Sequence, residues 1–235
     1  MNVAIILAGG TGSRMGIEIP KQYYEVKGKA VLSYCLHTFL THKEIDAVQI
    51  VADGMWHRYI VQQLLGLPYN EKFKEFSAPG ENRQLSIYNA LVDIRGYTSE
   101  NDTVVIHDAA RPCVSAAQIA DCLKAAKGHD GTLPVLRMKD TAYLSEDGRA
   151  VSSLLDRRKV FAGQAPEVFL FGRYYEANRA LLPEKILEIN GSTEPAVMAG
   201  MDIAMIPGDE RNFKITTAMD LERFREIVQK DGCMV

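Results

Sequence analysis

Short apolar runs alternate with helical-spaced apolar segments along most of the chain, and that alternation restricts the fold more than any other feature. The runs at 3–8, 46–52, 103–107 and 132–138 read as buried strands. Between them, 29–41 places Val31, Leu32, Cys35, Leu36 and Phe39 on one side of a helix. Further helices are expected near 56–65 and 82–94, and after the capping box Ser115-Ala-Ala-Gln118. The pattern resumes after 163 with helices near 173–182 and 194–201, strands near 202–206 and 213–216, and a last helix started by Thr217-Ala-Met-Asp220. This order predicts an α/β fold with a mainly parallel sheet covered on both faces. In such sheets ligands bind beyond the carboxyl ends of the strands, where the strand order reverses.

One interval breaks the rhythm. Residues 139–163 are polar and charged, carry the turn Ser-Glu-Asp-Gly at 145–148, and have short β-like pieces on either side, so a β-hairpin arm leaving the main body is expected there. The 235 residues suit a single domain, 1–235, that carries this arm. Lys and Arg total 27 against 30 Asp and Glu, a net charge of −3, which gives no general basic field for nucleic acid or an acidic membrane. Any phosphate binding must therefore be local. The 4 cysteines form no C-x-x-C pair, and no stretch approaches the ~20 apolar residues of a membrane span, so a cytoplasmic protein is expected. The 5 histidines show no metal-ligand spacing, and none is assigned to catalysis.

The first strand runs into Leu-Ala-Gly-Gly-Thr-Gly-Ser-Arg-Met-Gly at 7–16, followed by Pro20-Lys21. The spacing Gly10-x-Gly12-x-x-x-Gly16 is one residue too long for the dinucleotide fingerprint, and no Gly-Lys-Ser/Thr follows to make a Walker loop. What remains is a general device in which glycines let successive backbone N–H groups converge on an anion. Arg14 adds a planar donor fork, and Pro20 restricts the backbone just before the Lys21 ammonium. A triphosphate suits this arrangement better than the bland alternative, a tight turn with an incidental surface Arg and Lys. Asp108 follows its strand and has two readings on chemistry alone: a cap of the next turn paired with Arg111, or a metal contact.

Several segments then occur in the order of one family. The opening 7–16 with Pro-Lys-Gln-Tyr at 20–23 is joined by PGENRQLSIYNAL (79–91), HDAARP (107–112), KDTAY (139–143), LDR (155–157), GQAPEVF (163–169) and NFKITTAMDL (212–221). Together they resemble the 2-C-methyl-D-erythritol 4-phosphate cytidylyltransferases, with the ribitol 5-phosphate cytidylyltransferases as close relatives. The resemblance implies a Rossmann-like three-layer nucleotidyltransferase fold with a protruding β-arm. It also implies CTP as substrate, Mg²⁺ as cofactor, and a homodimer in which the arm of one subunit lines the other's site.

Carried over residue by residue, the resemblance makes Arg14, Lys21, Asp108 and Lys214 catalytic, with Asp108 also the metal contact. Gly10, Thr11 and Gly12, with Arg14 and Lys21, would hold the CTP phosphates, Gly80, Glu81, Arg83 and Ser86 would surround the cytosine and ribose, and Leu7, Ala8, Gly9 and Ala109 would also bind the nucleotide. Arg111, Thr141, Arg157 and Thr193 would grip the polyol phosphate. Two departures fall on the polyol side. The family commonly reads Thr-Pro-Gln where this chain has Ala165-Pro166-Glu167, and the segment after Thr193 carries Pro195 and no second acid.

The implied reaction is attack by a substrate phosphate oxygen on the α-phosphorus of CTP, with pyrophosphate departing. A phosphate dianion needs no protein nucleophile, so cations that relieve repulsion, align the partners and stabilise the leaving group suffice. Leu155-Asp156-Arg157 leans toward the methylerythritol acceptor, and Phe161-Ala162-Gly163-Gln164 toward ribitol; the former is placed ahead. A non-catalytic nucleotide-binding regulatory module is the alternative from a different class, and a nicotinamide-dependent oxidoreductase is disfavoured by the glycine spacing. A binding module would have no need of Arg14, Lys21, Asp108 and Lys214 together.

Overall fold

The computed structural model describes residues 1–10 and 19–230. Thr11, Gly12 and Arg14 of the expected site lie outside the described residues. In chain order the first half comprises β1 (Asn2–Leu7), the short pair β2 (Glu25–Val26) and β3 (Lys29–Ala30), α1 (Val31–Thr41), β4 (Ala47–Val51), α2 (Gly54–Leu65), β5 (Phe73–Ser77) and α3 (Arg83–Ile94). There follow β6 (Thr103–Asp108), α4 (Ala116–Ala125), β7 (Gly131–Arg137), β8 (Tyr143–Leu144), β9 (Ser153–Leu154), β10 (Phe161–Gly163) and β11 (Glu167–Leu170). The chain continues through α5 (Phe171–Arg179), α6 (Lys185–Glu188), α7 (Glu194–Met198), β12 (Ile203–Pro207) and α8 (Ala218–Lys230).

Among the described residues the main sheet runs β12, β7, then β10 and β11 in one lane, then β6, β1, β4 and β5. Every neighbouring pair is parallel except those made by β10 and β11, which run against β7 and, for β11, against β6. Strand order reverses between β1 and β6, whose last residues, Leu7 and Asp108, are partners in register. The sheet is buried on both faces because its strands are apolar on both. Ala4, Ile6, Val48, Ile50 and Val105 pack toward the side of α1, α2 and α4, while Val3, Ile5, Val104 and Ile106 pack with α3 and α5. A third cluster joins α8 to Val26, Val31, Tyr34 and Ile215.

The helix starts follow local chemistry. The side chains of Asp53, Asn82 and Ser115 accept from the amides of Met55, Leu85 and Gln118, which closes the open first turns of α2, α3 and α4. At α8, the Asp220 carboxylate accepts from the amides of Thr216 and Thr217 while Thr217 Oγ1 accepts from Asp220 N.

Two elements differ from the sequence expectation. Residues 213–216 form no strand, because the Ile215 amide donates to the Ala110 carbonyl (2.8 Å) in the loop after β6 and not to a sheet ladder. Within 139–163, β8 and β9 form an antiparallel hairpin, but Phe161–Gly163 have already rejoined the main sheet beside β7. The strands β5 and β11 had no counterpart in the expected pattern.

Candidate active site

The carboxyl end of β1 is fixed by its neighbours. Ala8 N donates to Val51 O (2.8 Å) and Ala109 N to Leu7 O (3.0 Å), so the loop starts at a fixed height beside β6. Gly9 is required sterically, since a Cβ there would stand 2.7 Å from Pro79 Cβ. The next carbonyls are held from behind: Gln22 Nε2 donates to both Ala8 O and Gly10 O at 2.7 Å, and the Tyr23 hydroxyl donates to Ala8 O at 2.8 Å. Tyr23 is stacked on Trp56 with ring centroids 4.1 Å apart, so the latch rests on a rigid ring. Lys21 begins the single turn Lys21–Tyr23 directly after Pro20 and is half-buried.

Beyond β6 a charge cluster forms around Asp108. Its Oδ1 accepts from Arg83 Nε (3.1 Å), and its Oδ2 lies 3.1 Å from Lys214 Nζ and 3.3 Å from Arg111 Nε. Three different segments supply these cations: the first turn of α3, the loop after β6, and the segment before α8. Burial opposes charge on Asp108, but Arg83, Lys214 and Arg111 hold its carboxyl well below the usual carboxylate range. Beside it, His107 is fully buried, and burial pushes its pKa down to about 4. His107 Nε2 lies 3.0 Å from Arg111 O; a carbonyl only accepts, so Nε2 carries the proton and Nδ1 is the bare nitrogen. Arg111 is anchored further by donating from Nη1 to Asn212 O (2.7 Å).

Of the residues expected around the nucleotide base, Gly80 and Ser86 are tied together: Gly80 N donates to Ser86 Oγ (2.9 Å), which donates to Asn82 O (2.8 Å). A Cβ on Gly80 would come within 2.6 Å of the Leu85 side chain and 2.8 Å of its backbone carbon, so this loop lies directly on the first turn of α3. Glu81 is exposed next to it. Arg83, expected at the nucleotide, is thus brought into the Asp108 cluster.

The polyol side divides in two. Arg111 and Thr193 belong to the central cluster, Thr193 through Glu167. The Glu167 carboxylate accepts from Ser192 Oγ and from Thr193 Oγ1 (2.6 Å) and lies 3.8 Å from Arg83 Nη2, while Arg83 Nη1 donates to Ser192 Oγ (2.7 Å). Thr141 and Arg157 are exposed on the arm, where Arg157 Nη1 donates to Lys139 O (2.9 Å) and both line a shallow pocket with Leu154, Leu155, Asp156 and Arg158. Among the described residues, no hydrogen bond or ion pair joins those two to the Asp108 cluster. The sequence reading did not single out Gln22, Tyr23 or Ser192 as site residues; no motif signals that a side chain will reach a loop carbonyl or share a buried carboxylate.

Among the described residues, no group of three or more His, Cys, Asp and Glu side chains stands together as a metal centre. Asp108 alone suits a hard cation that completes its shell with water and phosphate oxygens, as Mg²⁺ does, since a carboxylate has about four lone-pair directions and three are turned to cations here.

A mostly parallel sheet, wrapped by helices and reversing its order between β1, which leads into Gly9 and Gly10, and β6, which ends on a carboxylate held among cations, is the Rossmann-like nucleotidyltransferase architecture, and the chain is an enzyme of that class. The family described as IspD: 2-C-methyl-D-erythritol 4-phosphate cytidylyltransferase matches residues 2–230, and the chain belongs to it. It is 32% identical over 218 residues to the 2-C-methyl-D-erythritol 4-phosphate cytidylyltransferase of Clostridium botulinum, covering 93% of this chain and 95% of that one. It is 30% identical over 237 residues to the ribitol-5-phosphate cytidylyltransferase of Streptococcus pneumoniae, covering 98% and 100%. The crystal structure of Francisella tularensis 2-C-methyl-D-erythritol 4-phosphate cytidylyltransferase superposes with a TM-score of 0.80 at 27% identity, over 96% of this chain and 98% of that one.

Proposed function

We propose that this enzyme transfers the cytidylyl group of CTP to the phosphate of a small polyol phosphate, with 2-C-methyl-D-erythritol 4-phosphate as its preferred acceptor. The observation that carries the reading is the meeting of Arg83, Arg111 and Lys214 on Asp108 at the point where strand order reverses. Two polyanions must be brought together there, and three cations facing one buried carboxylate leave positive charge over for them.

In this reading the acceptor phosphate oxygen forms a bond to the α-phosphorus as the bond from that phosphorus to the bridging oxygen of the leaving pyrophosphate breaks. The chain supplies no nucleophile. The backbone beyond β1 and the Lys21 ammonium hold the triphosphate. Lys214, pinned by Asp108, meets charge that develops on the reacting phosphates. Arg111, braced by Asp108 and Asn212 O, orients the acceptor's phosphate. Asp108 would hold Mg²⁺ together with the phosphate oxygens, and the ion when bound supplies further neutralisation of phosphate charge. Arg157 and Thr141 would serve the partner's site in a homodimer joined through the arm.

Ribitol 5-phosphate is the second acceptor considered, favoured by the likeness to the Streptococcus pneumoniae enzyme at 30% identity over 98% of this chain and 100% of that one. A coupled pyrophosphate assay with both polyol phosphates and each of the four nucleoside triphosphates separates the readings. Pyrophosphate release is expected with CTP, and with a much higher kcat/KM for the methylerythritol acceptor than for ribitol 5-phosphate. Release with ribitol 5-phosphate alone reassigns the acceptor. CTP binding by calorimetry without turnover on either acceptor would identify a non-catalytic nucleotide-binding module.

A further inference from the structure

Glu167 occupies a position from which its hydrogen bonds orient its neighbours. It opens β11, whose antiparallel register sets it opposite Ile106, two residues before Asp108. Its side chain is buried, and both oxygens are used: Oε1 by the Ser192 hydroxyl and, at 3.8 Å, by Arg83 Nη2; Oε2 by the Thr193 hydroxyl at 2.6 Å. The two hydroxyls come from the turn that leads into α7, and the Tyr174 hydroxyl steadies that turn by donating to Ser192 O (2.7 Å).

An ionised carboxylate has no proton to give, so both hydroxyls must donate to it. Each hydroxyl has only one proton. Ser192 Oγ also accepts from Arg83 Nη1 at 2.7 Å, which ties it to the Asp108 cluster. Thr193 is half-buried, and its oxygen is left with lone pairs alone. The geometry points to Glu167 as an acceptor-specificity residue that works by fixing Thr193 Oγ1 as a pure hydrogen-bond acceptor. In that state Thr193 takes a hydrogen bond from a polyol hydroxyl and can give none to a phosphate oxygen. A glutamine at 167 reverses part of this arrangement. Its amide offers an N–H₂ as well as an oxygen, so one hydroxyl accepts from the amide and its proton is released toward the site.

This inference rests on the transferase reading, and the test separates the two. Steady-state kinetics of the full-length enzyme and its Glu167→Gln variant are measured with CTP and each polyol phosphate in turn. One hydrogen bond gained or lost toward the acceptor predicts a change of about fivefold or more in the ratio of kcat/KM for the two acceptors. It is carried by the acceptor KM, with the KM for CTP unmoved. Thr193→Val shifts the same ratio, and adding it to the Glu167→Gln variant shifts it by less than it does alone, because the two residues act as a unit. An unchanged ratio in a folded Glu167→Gln enzyme overturns the inference, as does an equal rise in both KM values, which a merely structural role would give. If Glu167→Gln does not fold, an unchanged ratio in Thr193→Val overturns it. Absence of turnover on either acceptor by the unsubstituted enzyme overturns the transferase reading, and the inference with it.

Discussion

Asp108 and His107 are adjacent, both buried, and pushed in the same direction for opposite reasons. Cations keep Asp108 charged, whereas burial keeps His107 neutral and its pKa down to about 4. A histidine depressed in this way takes up its proton more readily in the unfolded chain. Stability is therefore complete above the ordinary value of 6.5 and falls as pH drops toward 4, by up to ~1.4 kcal/mol per pH unit. Below that window the histidine contributes no further slope, and the loss of charge on Asp108 takes over beneath its ordinary 3.8. Urea unfolding of His107→Gln and the unsubstituted protein at pH 7, 5.5 and 4.5 checks this: the variant should show a slope smaller by about one proton. For catalysis, Lys21→Ala and Lys214→Ala are each expected to lower turnover ~10²-fold or more with the circular dichroism spectrum unchanged, the scale seen when one preorganised donor is lost. Near-normal turnover in either would remove that lysine from the reaction.

The elements that place these residues differed in how plainly the sequence displayed them. Mainly apolar runs revealed β1, β4, β6 and β7, since a strand buried on both faces has little polar side to confuse with a helix. The caps at Ser115 and Asp220 were equally visible, because each signal is local. By contrast β5 reads Phe-Lys-Glu-Phe-Ser and β11 is only four residues opened by an acid, so neither carries a pattern of its own. Residues 213–216 look like a strand because Phe213 and Ile215 alternate with polar residues, but their partner is a loop carbonyl. Glu167 stood out in the sequence as a departure on the polyol side, but its partners were hidden for the same reason: they depend on β11 running antiparallel between β6 and β7. The base-side loop offers a test at this scale. In Gly80→Ala the new Cβ meets the Leu85 backbone at 2.8 Å, which predicts a loss of about 1–3 kcal/mol in denaturant unfolding and weaker CTP binding by calorimetry. Wild-type affinity in that variant would show that the loop does not shape the nucleotide site.

For the whole molecule, the arm is the part that one subunit leaves unexplained. Tyr143, Leu144, Val151 and Leu154 are all exposed on it, and among the described residues Thr141 and Arg157 sit there without a bond to the Asp108 cluster. The homodimer proposed above, joined through the arm, would account for both. Light scattering is expected to give twice the chain mass for the native protein, whereas Val151→Asp with Leu154→Asp gives a monomer that still binds CTP but turns over poorly. A native monomer with full activity would rule this assembly out. No described helix is long and apolar enough to cross a membrane. The account depends most on where CTP sits, so a crystal structure of the complex tests it most directly. The triphosphate is predicted beyond the carboxyl ends of β1 and β6, against the loop that follows Ala8 and beside Lys21, with its α-phosphorus toward Lys214. A triphosphate bound elsewhere, with that loop and both lysines unengaged, would contradict it.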